Sequence, residues 1–212
     1  MKISKRSMLL LAVLLVPTPV LAQFTVFATS TVQDGNLGGL AGGDAVCSTR
    51  ATAGGLGGTW VAWLSTAATN AETRLTPGSF ERVDGVAIAA SIADLTDNTI
   101  ANSISLDEFG AAVPGVPGPW TGTTGAGLVN ANTCINWTSN DSGDVGDVGS
   151  AVVTGVGWTD NVAGACNTSR PVYCFQTALP VPSLPGRTWP LALLITLLAA
   201  GSFKIVRRSR IV

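Results

Sequence analysis

Four cysteines, Cys47, Cys134, Cys166 and Cys174, constrain this 212-residue chain more than any other feature, because they fall in a stretch that its N-terminus marks for export. Lys2, Lys5 and Arg6 precede an apolar run from Met8 to Val16, and Val20-Leu21-Ala22 closes the segment. That is the order of a secretory signal over residues 1–22, with cleavage after Ala22. Pro17 and Pro19 break the run well short of a membrane span. An even cysteine count in an exported chain implies two disulfides, and four cysteines allow three connectivities. No CxxC spacing occurs, so neither a zinc ribbon nor a thioredoxin-type motif is supported.

The C-terminal end carries a second address. Trp189 to Phe203 is apolar and is followed by Lys204, Arg207, Arg208 and Arg210. As a helix this run covers ~22 Å, and extension to residues 188–206 with Lys204 snorkelling makes a thin span. The basic tail, 207–212, puts the C-terminus in the cytoplasm by the positive-inside rule. Upstream, the Pro-rich linker 177–187 contains Val181-Pro182-Ser183-Leu184. Motif, apolar helix and basic cluster together resemble bacterial C-terminal sorting signals of the IPTL and PEP type. That resemblance implies a membrane-embedded sorting enzyme as a partner; the plainer reading is a single-pass anchor. In either case the middle of the chain lies outside the cytoplasm, held at the membrane or released after processing.

That middle region, 23–176, has the size of one domain. It holds all thirteen acidic residues and only four arginines, nine net negative charges. Nucleic acid is excluded as a partner, since binding a phosphate backbone requires basic side chains. Histidine is absent from the whole chain. Ser-His-Asp and Cys-His catalysis and His-ligated zinc are therefore excluded as well.

The hydrophobic pattern predicts an edge-like strand over Phe24 to Ser30, alternating at Phe24, Val26 and Ala28. It predicts a helix over Leu40 to Ala53, stopped by Gly54-Gly55, and a buried strand at Trp60 to Leu64. Phe80 to Ile88 reads as a hairpin turning at Asp84-Gly85, a pair suited to a type I′ turn. A last short strand is predicted at Arg170 to Phe175. Between Ser91 and Asn132 regular signals give way to a Gly/Pro/Thr/Asn-rich tract, which in a folded domain implies function or disulfide pinning.

In order along the chain come Val26-Phe27-Ala28-Thr29-Ser30, Asp34-Gly35-Asn36-Leu37-Gly38-Gly39-Leu40-Ala41-Gly42-Gly43-Asp44-Ala45-Val46-Cys47, and Trp63-Leu64-Ser65. Thr73-Arg74-Leu75, Ala93-Asp94-Leu95-Thr96-Asp97, Trp120-Thr121-Gly122, Cys134-Ile135-Asn136-Trp137-Thr138-Ser139 and Arg170-Pro171-Val172-Tyr173-Cys174-Phe175 follow. This series resembles bacterial endostatin-like domains, which belong with the C-type lectin-like folds. The resemblance implies an α+β fold with a small antiparallel sheet, long loops and nested disulfides, Cys47 with Cys174 and Cys134 with Cys166. Closing loops of ~128 and ~33 residues is worth about 5 and about 4 kcal/mol separately, less when nested.

Three groups of residues are candidates for a site. Asn136 and Trp137, with Trp120 and Trp158, belong to the loop-rich half, where an exposed indole beside Asn and Thr can stack on a sugar or a protein partner; the same tryptophans also suit the core. Asp141, Asp144 and Asp147 stand three apart among glycines, an arrangement open to calcium and equally to a solvated acidic turn. It lacks the bidentate Glu of an EF-hand and the Glu-Pro-Asn and Trp-Asn-Asp triplets of sugar-binding lectins. Asp107-Glu108 is the one adjacent carboxylate pair, a weak signal for glycosidase chemistry because sequence neighbours point apart. The expectation is a non-catalytic recognition module with no cofactor beyond calcium. A structural coat or matrix protein, and a calcium- or glycan-dependent lectin, are the alternatives.

Overall fold

The computed structural model describes residues 22–181. Residues 1–21 of the leader, Pro182, Ser183 and Leu184 of the sorting motif, the apolar segment 188–206 and the basic tail lie outside the described residues. No helix among those described is long and apolar enough to cross a membrane. The described residues as far as Pro180 form one compact unit. Both disulfides and both hydrophobic clusters lie within residues 22–180, so this stretch is self-contained.

β1 (Gln23–Ala28) opens the domain, followed by α1 (Gly39–Ala53), β2 (Thr59–Ala62), β3 (Ser79–Arg82), β4 (Ala87–Ala89) and the four-residue helix α2 (Ile92–Leu95). β5 (Val145–Val148), β6 (Val162–Ala165) and β7 (Tyr173–Ala178) complete it. Five strands form a sheet in the order β2-β7-β1-β3-β4, and β5-β6 form a separate pair. The fold is thus α+β with small sheets and two disulfides. The larger sheet is mixed rather than antiparallel, because β1 and β3 run parallel in the register Phe24↔Phe80. A parallel pair needs a long crossover, and α1 with β2 supplies it.

β1 is the central strand, not an edge. Phe24, Val26 and Ala28 face one cluster, with Trp63, Phe80, Trp158, Tyr173 and Phe175. Phe27 faces the other, with Trp60, Trp120, Trp137 and both disulfides. The period-two alternation therefore distributes side chains between two buried faces instead of between core and solvent.

α1 packs on β2 through Gly43, Cys47 and Ala51, four apart and so on one face. A Cβ on Gly43 would stand 2.8 Å from Leu64 Cδ1 and 3.1 Å from Ala62 Cβ, so glycine lets the helix approach this closely without displacing the Leu64 side chain. β2 is an edge strand whose outer side is covered. Asp44 Oδ1 accepts from the Ala62 N–H at 2.9 Å, and Arg74 Nη1 donates to the Ala62 carbonyl at 2.7 Å. Arg74 also grips both Asp44 oxygens, at 2.6 and 2.7 Å, which blocks pairing with another chain.

The β3–β4 hairpin turns where expected, but with different geometry. Gly85 is left-handed at φ 82° while Asp84 is not, and the Gly85 N–H donates to the Arg82 carbonyl. A type I turn closed by a left-handed glycine fits this pattern; type I′ would need both residues left-handed. The last strand starts three residues later than predicted, at Tyr173. Its predecessors Arg170 and Val172 instead bridge to Gln33 and Trp120.

Candidate functional site

The loop-rich half hangs on a buried polar network. Ser65, Thr121, Thr123 and Thr159 are all fully buried. Trp63 Nε1 donates to Thr159 Oγ1 at 2.8 Å, and Ser65 Oγ meets Thr123 Oγ1 at 2.9 Å. Thr121 Oγ1 donates to the Thr159 carbonyl at 2.6 Å. The Tyr173 hydroxyl donates to the Trp158 carbonyl at 3.1 Å, and burial holds its pKa above the ordinary value. Satisfied hydroxyls inside an apolar core fix one arrangement of the loops above them.

The candidate indoles belong to this interior. Trp120, Trp137 and Trp158 are each 0 % exposed, so none presents a face to a ligand, which corrects the expectation of a stacking surface. The physical reason is area: with little else aromatic in this half, these rings are its core. Trp120 and Trp137 pack at 5.9 Å, and Trp158 packs on Trp63 and Tyr173. Trp120 Nε1 donates to the Gln33 carbonyl at 3.0 Å and Trp137 Nε1 to that of Ser65 at 2.8 Å. Trp158 Nε1 is buried without a partner.

Asn136 is exposed, and its backbone setting is the most unusual among the described residues. Cys134, Ile135, Asn136 and Trp137 all have positive φ, 47°, 53°, 56° and 67°. They form one turn of left-handed helix, with the Trp137 N–H on the Thr133 carbonyl at 2.7 Å and Thr138 on Cys134 at 3.0 Å. For L-residues this conformation crowds Cβ against the carbonyl, costing roughly 1–2 kcal/mol per residue. Four supports offset that cost: the Thr133 hydroxyl accepts from Asn136 N, Asn136 Oδ1 accepts from Ala67 N, the Trp137 indole is buried, and Cys134 is tied to Cys166. Around that sulfur the backbone closes tightly: a Cβ on Gly35 would sit 2.5 Å from Cys134 Sγ, and one on Gly146 2.7 Å. At the apex Ile135, a β-branched residue, is 60 % exposed.

Beside this turn lies an open pocket of about 310 Å³, lined by Ala131, Asn132, Thr133, Ile135, Gly143, Asp144 and Val145. A second groove of about 490 Å³ runs between α1 and the segment before it, past Gln33, Leu37, Val46 and Arg50. Val145, in the first pocket, is 41 % exposed.

The three aspartates do not converge. Asp147, in β5, is buried and spends both carboxylate oxygens on Asn132, at 3.0 and 2.8 Å. Asp144 accepts from Ser139 Oγ, and Asp141 closes a turn by accepting from Gly143 N at 2.7 Å. Among the described residues no group of three or more acidic or cysteine side chains could hold a metal ion. The calcium expectation for Asp141, Asp144 and Asp147 is corrected accordingly: two share the 139–144 turn, and the strand carries the third away into a buried pairing.

Asp107 and Glu108 are fasteners. Asp107 Oδ1 accepts from Phe109 N and Ala111 N, each at 2.9 Å. Glu108 Oε2 accepts from Ser30 N at 3.0 Å, while its Oε1 takes the Ser30 hydroxyl and Arg50 Nε. Burial raises the Glu108 pKa, but the Ser30 and Arg50 hydrogen bonds outweigh it and leave the carboxyl below its ordinary range. The structure joins Cys47 to Cys174 and Cys134 to Cys166, and no cysteine among the described residues is free.

No family model matches this chain, and none of the curated proteins does.

Proposed function

We propose that this protein is an exported, non-catalytic recognition module of C-type lectin-like, endostatin-like design, held at the cell envelope or released by its C-terminal sorting signal. The observation that carries this reading is the separation of charge from the loop surface. The domain has nine net negative charges, yet no charged residue occurs from Phe109 to Asn140, nor from Val148 to Thr159. Those two tracts expose Val116 (85 %), Leu128, Val129, Val152, Val153 and Val156. Exposed apolar loops over a fixed scaffold are what a binding surface needs, since apolar area supplies affinity and the scaffold avoids the cost of ordering it. The reading also rests on the ordered series of motifs from Val26 to Phe175.

The test is saturable binding of the oxidised protein to immobilised extracellular proteins and polysaccharides, measured beside a Val152→Asp/Val156→Asp variant. Loss of binding in a variant with unchanged Tm supports the reading; equal binding by both proteins refutes it. A second reading, a structural coat protein, is favoured by β6, which has β5 on one side and no strand on the other among the described residues. Val162 and Ala163 on it are exposed and uncharged. Concentration-dependent sedimentation would select that reading.

A further inference from the structure

Resting on the recognition reading, we propose that the pocket beside the left-handed turn is a further binding site of this domain, separate from the valine surface. Its ligand is an extended polypeptide segment presenting an apolar side chain flanked by lysine or arginine. A β-branched residue held at positive φ is costly, and Asn or Gly in its place would remove most of that cost. Ile135 is also mostly exposed, so its own burial does not explain it. Strain kept at a solvent-facing apolar side chain points to a contact made with something else. Val145 stands across the same pocket as a second exposed apolar group.

The polar groups of the pocket specify the rest of the ligand. Asn132 Nδ2 is committed to Asp147, which leaves its Oδ1 as an acceptor. Thr133 Oγ1 accepts from Asn136 N and keeps its own proton to donate. An acceptor beside a donor suits a peptide N–H and C=O. Asp144 has one oxygen engaged by Ser139 and one left over. Asp141 lies in the same turn, and its neighbour Asn140 reaches Asp34 with Nδ2 at 3.5 Å; of these carboxylates Asp144 is the one that lines the pocket.

Among the described residues none of these three carboxylates has a cationic partner. Arg50, Arg74 and Arg82 pair with Glu108, Asp44 and Asp84, and Arg170 lies over the Trp120 ring. A cationic ligand is therefore the complementary one. A glycan fits less well, because among the described residues the indoles that could stack on a sugar are all buried.

Two probes decide it, acetyl-Gly-Lys-Leu-Lys-Gly-amide and its counterpart with glutamate in place of lysine. They are titrated into ¹⁵N-labelled, oxidised residues 23–180. The lysine peptide is expected to shift the amides of residues 131–135 and 143–145 saturably, and the glutamate peptide to leave them in place. Ile135→Asn should weaken the lysine peptide about tenfold or more while raising Tm by ~2–4 °C. Asp144→Asn, which keeps an acceptor for Ser139, should weaken it with no change in Tm. Shifts elsewhere, no shifts, equal response to both peptides, or an Ile135→Asn protein that binds normally or melts earlier would each overturn the proposal. The recognition reading has its own readout in the valine variant, so the two failures are distinguishable.

Discussion

Glu108 is a buried carboxylate whose removal should unfasten the start of the loop region from α1. Its side chain is fully covered, while Arg50 opposite keeps 19 % exposure. Four donor contacts converge on it: the Ser30 N–H at 3.0 Å, the Ser30 hydroxyl, Arg50 Nε at 2.7 Å and Arg50 Nη2. Glu108→Gln keeps the shape but replaces one acceptor oxygen by an –NH₂ that must face one of those donors. Breaking a buried ion pair costs about 3–5 kcal/mol, and a charged hydrogen bond alone about 1.5–3. Water can solvate the freed end of Arg50, so the expected loss is about 2–3 kcal/mol at pH 7, a Tm lower by roughly 5–10 °C.

The pH dependence carries the sign. The native carboxyl titrates below its ordinary 4.5, because the donor contacts outweigh burial. Its contribution is therefore complete above the unfolded value and is lost as pH falls from about 4.5 through the lower native value. Urea unfolding of parent and variant at pH 7 and again near pH 3 should show a gap that narrows on acidification. A gap under ~0.5 kcal/mol at pH 7, or one equal at both pH values, would refute the assignment of this pair as a charged fastener.

Three further outcomes follow from geometry. Gly42→Ala should destabilise by 1 kcal/mol or more in denaturant, against its helix propensity, because the new Cβ would meet the Leu37 carbonyl oxygen at 1.7 Å. Gly155→Ala should be neutral or slightly stabilising by ~0.4–1 kcal/mol in the same assay, since φ is −77° and nothing lies within 4 Å. The Cys134→Ala/Cys166→Ala protein should lose about 3–4 kcal/mol by urea unfolding, the loop-closure value for a 32-residue separation. A loss near zero would mean that the left-handed turn stands without its tie.

What was legible in the sequence depended on whether the signal was local. α1 was found because Gly54-Gly55 ends it and small residues fill it, and its observed range, Gly39–Ala53, differs from the prediction by one residue at the start. The turn at Asp84-Gly85 was found from the same kind of cue. Its type was missed because only Gly85 is left-handed, and that is decided by how the two strands meet. β1 reads as edge-like because alternation along a strand looks the same whether the second face meets water or a second core. The pairing of β7 on one side and β3 on the other makes it central, and the two hydrophobic clusters bury both its faces.

β5 and β6 were invisible for a related reason. Val-Gly-Asp-Val and Val-Ala-Gly-Ala have weak strand character, and their pairing is imposed by the Cys134–Cys166 tie and by Trp120 lying against Gly146.

The site shows the same limit more sharply. Asn136 is the one residue of the left-handed turn whose type tolerates positive φ, and nothing marks Cys134, Ile135 or Trp137 as its companions. By residue type, Trp137 is the candidate for its aromatic face and Asn136 for its amide. The fold uses the first as an anchor and the second as a strut to Ala67. What remains for a partner is Ile135, which a reading by residue type passes over, since an isoleucine between a cysteine and an asparagine looks like filler. Its exposure acquires meaning only with the φ values beside it. A strained backbone held by four supports, with one mostly exposed apolar side chain, is where a local rule is broken without a local gain. The compensating gain then has to come from outside the chain, and Ile135→Asn separates that account from a merely structural one by moving stability and binding in opposite directions.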